Sequence, residues 1–325
     1  MRNPGQFILS FLLALLSTRT SFSEAGNATR ASNIARLIRV DPSGKGDFTK
    51  IQDAIDAVPS NNSELVFIRI EPGTYREKLV VPVDKPFVTL SGRSASNTII
   101  TGDDSRNIFG SPTVSVLASD FVGRYLTIQN THGSGVKAVA LRVSGDRVAF
   151  LACRITSHQD TLLDDVGRHY YSNCYIEGDV DFIFGNAASL FQKCHVHSVS
   201  RGGGFITAQH RALPSENTGF VFLGCTITGL TNTFLGRPWG PYSRVVFALS
   251  YMSSAVLPQG WDDWADPSKQ RTAYYGQYEC YGPGADTSRR VPWSRILTGE
   301  EVSPLLTMNM VNQQSWFRNA PSIFD

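Results

Sequence analysis

The chain has 325 residues, of which 42% are apolar and 18% charged, and its formal net charge is +2. These values exclude a disordered chain, a coiled coil and a collagen-like repeat, each of which needs a more biased composition. So mild a charge gives no reason to expect a nucleic-acid partner.

Arg2 precedes an apolar run from Phe7 to Leu16, broken only by Ser10, and small residues follow to Ala25. This layout predicts a secretory signal peptide over 1–25, with an apolar stretch too short to span a bilayer. A secreted protein with no membrane segment in its mature form follows, with a short extension over 26–39 and one domain over 40–325. Asn27-Ala28-Thr29 and Asn61-Asn62-Ser63 are glycosylation sequons. Asp47 is placed to N-cap a helix over 48–58, in which Phe48, Ile51, Ala54, Ile55 and Val58 recur at helical spacing and Pro59 ends the run.

Short β-branched strands come next: Phe87-Val-Thr-Leu90, Asn97-Thr-Ile-Ile100, Thr113-Val-Ser-Val116 and Tyr125-Leu-Thr-Ile128. Cys153, Cys174, Cys194 and Cys225 then each open the same local pattern, at spacings of 21, 20 and 31 residues. A self-similar period of this length, carried by strands rather than helices, predicts an all-β parallel solenoid, a right-handed parallel β-helix in one domain. An antiparallel sandwich would place Asn-Gly or Asp-Gly hairpin turns in the central block, and none stands there. The helix over 48–58 is expected to cap one end of the solenoid. The segment from Leu297 to Val311, with Pro304 limiting any helix, is expected to cap the other. Stacking puts Cys194 with Cys225 and Cys153 with Cys174 within bridging reach; the alternative is a buried ladder of free thiols.

Asp160 lies seven residues beyond Cys153, and Asp181 seven beyond Cys174. In-register stacking therefore sets the two carboxyls on one face of adjacent coils, with backbones about 4.8 Å apart. Two like charges that close cannot both ionise freely, so one acid should hold its proton. A protonated acid beside a carboxylate suits nucleophilic and acid/base chemistry; the plainer reading is that each Asp caps a turn.

At these residues the chain resembles a known family. Gly73-Thr-Tyr75-Arg-Glu77, Ala138-Val-Ala-Leu141, Gln159-Asp160-Thr161-Leu162, Asp181-Phe-Ile-Phe-Gly185 and Leu235-Gly-Arg237-Pro-Trp239 occur in the order found in plant-type pectin methylesterases. Gly44-Lys-Gly-Asp-Phe48 and Tyr278-Glu-Cys-Tyr-Gly-Pro-Gly284 are similar too, and no inhibitor-like pro-domain is expected ahead of Val40. The resemblance implies a cell-wall enzyme that hydrolyses methyl esters of homogalacturonan. It implies Asp181 as nucleophile, Asp160 as proton donor and then acceptor, and Gln159 as oxyanion donor. Arg237 would hold Asp181 ionised, below its neighbour in proton affinity, and Trp239 would stack on a sugar ring. Trp261 matches a second aromatic of the cleft, whereas Tyr75 and Glu77 are expected to support the strand and turn.

One position departs from the pattern. Family members usually carry Gln before Ala-Val-Ala-Leu, and here that residue is Lys137. As a substrate-binding cation it either serves the oxyanion or pairs with Asp160 or Asp181. The partners expected are pectin and a proteinaceous pectinesterase inhibitor, with the enzyme a monomer. The six histidines show no metal spacing, and neither a metal nor a cofactor is expected. Two rivals stand beside this reading: a catalytically weakened pectin-binding homologue, and a pectin lyase or polygalacturonase on the same fold.

Overall fold

The computed structural model describes residues 36–306 and Val311. The signal peptide expected over 1–25, the Asn27 sequon and the extension up to residue 35 lie outside the described residues. Three parallel sheets of eleven, eight and seven strands form the walls of a right-handed parallel β-helix. One coil shows the repeat. Arg168–Ser172 belongs to the eleven-stranded sheet, Tyr175–Gly178 to the eight-stranded sheet and Val180–Gly185 to the seven-stranded sheet, after which the chain returns to the first wall.

Strands are short because each wall is only a few residues wide, and a left-handed residue turns the corner between walls. Tyr125, Ala152, Asn173, Lys193, Gly224, Leu249 and Glu279, all at positive φ, occupy equivalent corners. The residue after each faces inward. In chain order these residues are Leu126, Cys153, Cys174, Cys194, Cys225, Ser250 and Cys280, and the pairings of the following strands put them in one stack. The repeated cysteine is therefore a corner residue whose thiol caps the backbone. Sγ of Cys174 donates to the Phe150 carbonyl at 3.4 Å, that of Cys194 to Tyr171 at 3.5 Å, and that of Cys225 to Phe191 at 3.2 Å. All five cysteines are free, so the ladder of thiols is the arrangement found and the two bridges are not. The same geometry explains why several expected strands start late: Phe87 (φ 61°) and Tyr125 (φ 57°) are corner residues ahead of their strands.

Inside the eleven-stranded wall, Phe150, Tyr171, Phe191, Phe222 and Phe247 stack ring on ring. Centroids are 5.7, 4.6, 4.5 and 4.5 Å apart and the planes lie within 10° of parallel. Each ring repeats its neighbour because the strands pair residue on residue. Truncating one such ring to Ala costs about 3–5 kcal/mol.

The two ends differ from expectation. The N-terminal helix is shorter, Ile51–Asp56, with Lys50 at its N-cap position and no cap from that side chain. Asp47 instead accepts the Arg39 amide, and Glu77 caps the helix, its two oxygens each 3.0 Å from the amides of Ile51 and Gln52. A carboxylate brought in from the next coil satisfies two helix-end donors at once, which a local Asp does not. The first strand, Arg36–Val40, pairs with Val66–Ile70, so ordered wall begins ahead of Val40. The C-terminal helix, Gly299–Leu306, is opened by a Thr298–Glu301 capping box. It does not close the end of the solenoid. Val302 joins Val246, Ala248 and Leu297 on the outer face of the eleven-stranded wall, where Leu305 and Leu306 also lie.

Candidate active site

Asp160 and Asp181 meet on the seven-stranded wall. Leu162 pairs with Ile183 and Leu163 with Phe184, which is the 21-residue register read from the cysteine spacing, and the Asp160 amide donates to the Val180 carbonyl at 3.1 Å. Both acids take positive φ, 62° and 49°. The strand Val180–Gly185 shifts register between Val180 and Ile183 against its neighbour Gly204–Gln209. That bulge lets the consecutive residues Phe182 and Ile183 both enter the core and leaves Asp181 to face outward. Strained backbone at both acids is thus a local cost borne by the stack around them.

Their environments differ. Both carboxyls are buried, at 5% exposure for Asp160 and 6% for Asp181. Arg237 grips Asp181 in a fork, Nε to Oδ1 at 2.8 Å and Nη2 to Oδ2 at 2.7 Å. The guanidinium is itself clamped, 4.0 Å from the Phe205 ring centroid and 3.9 Å from that of Trp264. Gly236 makes this approach possible: a Cβ there would stand 1.9 Å from Thr207 Oγ1 and 2.8 Å from its carbonyl oxygen. Among the described residues, the Asp160 carboxyl has no such fork. Burial, then the Asp181 charge, raise its pKa to about 7, against smaller opposing pulls from Lys137 and Arg237. Burial also raises Asp181, and here Arg237 works against the rise through its hydrogen bonds and charge. Arg237 therefore moderates the proton affinity of Asp181 rather than holding it below the ordinary carboxylate range.

Gln159 precedes Asp160 and bridges backbone to backbone with Lys137 on the preceding coil; its side-chain amide makes no hydrogen bond to another described residue. Lys137 is exposed and forms no ion pair with either acid, although its charge reaches both. Trp239 is 38% exposed, with the His210 ring 4.2 Å from one side of it and Phe184 behind at 6.1 Å. The six expected residues therefore cluster. Trp261 does not join them. It is 1% exposed, packed on Tyr275 at 4.4 Å and Phe247 at 5.9 Å. The neighbouring left-handed turn at Trp264 and Ala265 puts Trp264 at the site instead, and no local signal separated the two tryptophans. Glu77, as expected, supports structure.

Two carboxyls buried on one wall of a parallel β-helix, one of them clamped by a guanidinium, make up the candidate active site. The sequence model of the Pectinesterase family matches residues 38–312. "Putative pectinesterase 11" of Arabidopsis thaliana is 57% identical over 292 residues, covering 89% of this chain and 83% of the relative. Pectinesterase QRT1 of the same plant is 41% identical over 313 residues, covering 91% and 82%. The pectin methylesterase from carrot superposes with a TM-score of 0.85 at 34% identity, covering 89% of this chain and 99% of that one. The chain belongs to the pectinesterase family, and its enzyme class is carboxylic ester hydrolase.

Proposed function

We propose that the protein is a secreted cell-wall enzyme that removes methyl esters from homogalacturonan. A solved relative 26% identical to this chain, with a TM-score of 0.74, is a pectin methylesterase in complex with a hexasaccharide, which supports an oligosaccharide chain as the substrate here. The carboxylate of Asp181 attacks the C6 ester carbonyl, and its electron pair forms the new C–O bond while the carbonyl pair moves to oxygen. Gln159 donates its amide to that oxyanion, a contact that strengthens as charge develops, and Lys137 adds a positive charge beside it. Collapse of the intermediate expels the methoxy group, which leaves as methanol with the proton of Asp160. Asp160, now ionised, takes a proton from water as that water attacks the acyl-enzyme, and cleavage returns the Asp181 carboxylate and a galacturonic acid that loses its remaining proton to solvent. Arg237 keeps the attacking oxygens aimed, and Trp239 offers its open face to a sugar ring.

The observation that carries this reading is the contrast within one register pair: Asp181 forked by Arg237, Asp160 free of such a partner and proton-retaining to about 7. Methanol release from highly esterified pectin, followed between about pH 4 and 9 for the parent, Lys137→Gln and Asp181→Asn, tests it. The parent should release methanol without new reducing or unsaturated ends, and Asp181→Asn should not. A silent parent beside an active Lys137→Gln variant would make the protein a pectin-binding homologue disabled at that position.

A further inference from the structure

The register that pairs Asp160 with Asp181 also pairs the residues two places before them. His158 and Asp179 occupy those positions, and the Asp179 amide donates to the His158 carbonyl at 2.9 Å. Their side chains face each other across the coils, His158 Nδ1 standing 3.6 Å from Asp179 Oδ2, too far for a hydrogen bond and close enough for a charge to be felt. The other oxygen, Asp179 Oδ1, is shut off from solvent and has no hydrogen-bond partner among the described residues. Native proteins rarely leave a buried carboxylate oxygen so placed, because its lost hydration is uncompensated. Nothing in the fold explains it: the corner at Gly178 and the strand after it are held by backbone bonds that need no Asp side chain.

We propose that Asp179, together with His158, is a positioning residue for the proton of Asp160: its uncompensated carboxylate, beside the acid pair, keeps that proton in place at the pH where the ester is cleaved. This rests on the assignment of Asp160 as the proton donor. The charged groups facing Asp160 are Asp181 and Asp179, which hold its proton, and Lys137 and Arg237, which loosen it. Asp262 acts on Asp181 from the far side. Within this set Asp179 is the member with a half-buried histidine against its carboxylate. A fixed cation placed at the His158 position, 3.6 Å from Asp179 Oδ2, would cancel part of that charge and weaken its hold.

The test is a titration of Asp160 followed by its ¹³C-carboxyl resonance in Asp-labelled protein, assigned by its absence from Asp160→Asn, alongside the pH profile of kcat/KM for methanol release. Asp179→Asn should lower the Asp160 midpoint by about half a pH unit, the size of one screened charge acting across a neighbouring residue. Asp179→Glu should restore it. His158→Lys, a permanent cation at a half-buried position, should lower the midpoint too, and should do less in the Asp179→Asn background. The alkaline limb of kcat/KM should move with the resonance. A midpoint unmoved in both Asp179→Asn and His158→Lys overturns the proposal; should Asp179→Asn unfold, His158→Lys decides alone. A midpoint that moves while the limb stays in place upholds the pair and removes Asp160 from the role of proton donor.

Discussion

Asp164 and Asp160 sit four residues apart on one coil, both buried, yet they are treated in opposite ways. The Asp164 carboxylate is inside the stack with donors on both oxygens: His169 Nδ1 lies 2.6 Å from Oδ1, the Tyr171 hydroxyl donates to the same oxygen at 2.7 Å, and Ser189 donates to Oδ2. His169 uses its other nitrogen on the Gly145 carbonyl at 2.8 Å. With an acceptor at both nitrogens the ring donates twice, as an imidazolium does. Burial opposes that charge, but Asp164 outweighs it and His169 is raised above the ordinary histidine value. At Asp160 no comparable donor set exists among the described residues, so burial wins and the acid keeps its proton. Burial alone therefore does not make a working acid. What matters is whether the fold supplies donors to the charged form, and this protein supplies them to Asp164 in the core and to Asp181 at the cleft but not to Asp160.

The comparison is broken most severely by Asp181→Asn. If the forked carboxylate is the nucleophile, methanol release should fall by about a thousand-fold or more, while Arg237 still finds an amide oxygen and the thermal transition stays close to the parent's. Retained turnover would place the nucleophile elsewhere. In the core, His169→Ala leaves the Asp164 charge without its counter-ion, a loss of about 3–5 kcal/mol in urea unfolding, while turnover per folded molecule should be close to the parent's. Because the folded value of His169 is raised, its contribution is fully present below the unfolded value and is lost as pH rises through the folded one. The stability gap between parent and variant should therefore narrow as the buffer is made alkaline.

Asp160→Asn should act in the opposite sense. The acid titrates at about 7 in the folded protein and near 4 when unfolded, so its protonated form favours folding below about pH 4. That advantage is lost as pH rises to 7. Three units correspond at most to about 4 kcal/mol, and the relaxed protein will show less. The amide carries no such charge, so Asp160→Asn should be more stable than the parent by about 2 kcal/mol at pH 8, with the difference vanishing near pH 4, as urea midpoints at the two pH values would show. An inactive variant that outlasts the parent is the expected mark of a site kept unsatisfied for function.

How much of this was legible beforehand depended on whether a feature repeats along the chain. The cysteine period carried the solenoid and, through its 21-residue step, the meeting of Asp160 with Asp181, because parallel stacking turns sequence spacing directly into spatial adjacency. Features that arise between walls left no such trace. Glu77 reaches the N-terminal helix from another coil; Trp261 and Trp264 exchange core and cleft through one left-handed turn; Val302 lands on an outer wall rather than an end. The Asp164–His169 pair was invisible because two polar residues within a strand pattern read as surface until the stack shows them facing inward. Asp179 was missed for a related reason: it sits beside a stronger motif and carries its meaning only through an oxygen that nothing satisfies.

Lys137→Gln is the smallest expected change and separates charge from hydrogen bonding at the site. Lys137 is exposed and makes no ion pair with either acid among the described residues, so it acts on them through a partly screened charge. That charge lowers the proton affinity of Asp160. Its removal should move the Asp160 titration, and the alkaline limb of kcat/KM with it, upward by about half a unit, by less at high salt than at low. If the lysine works chiefly as an oxyanion donor, the limb stays where it is and kcat falls instead, since glutamine still donates but brings no positive charge to the tetrahedral intermediate. A limb that moves upward with kcat preserved would mean that the lysine sets where the acid pair operates, and that Gln159 supplies the oxyanion contact largely on its own.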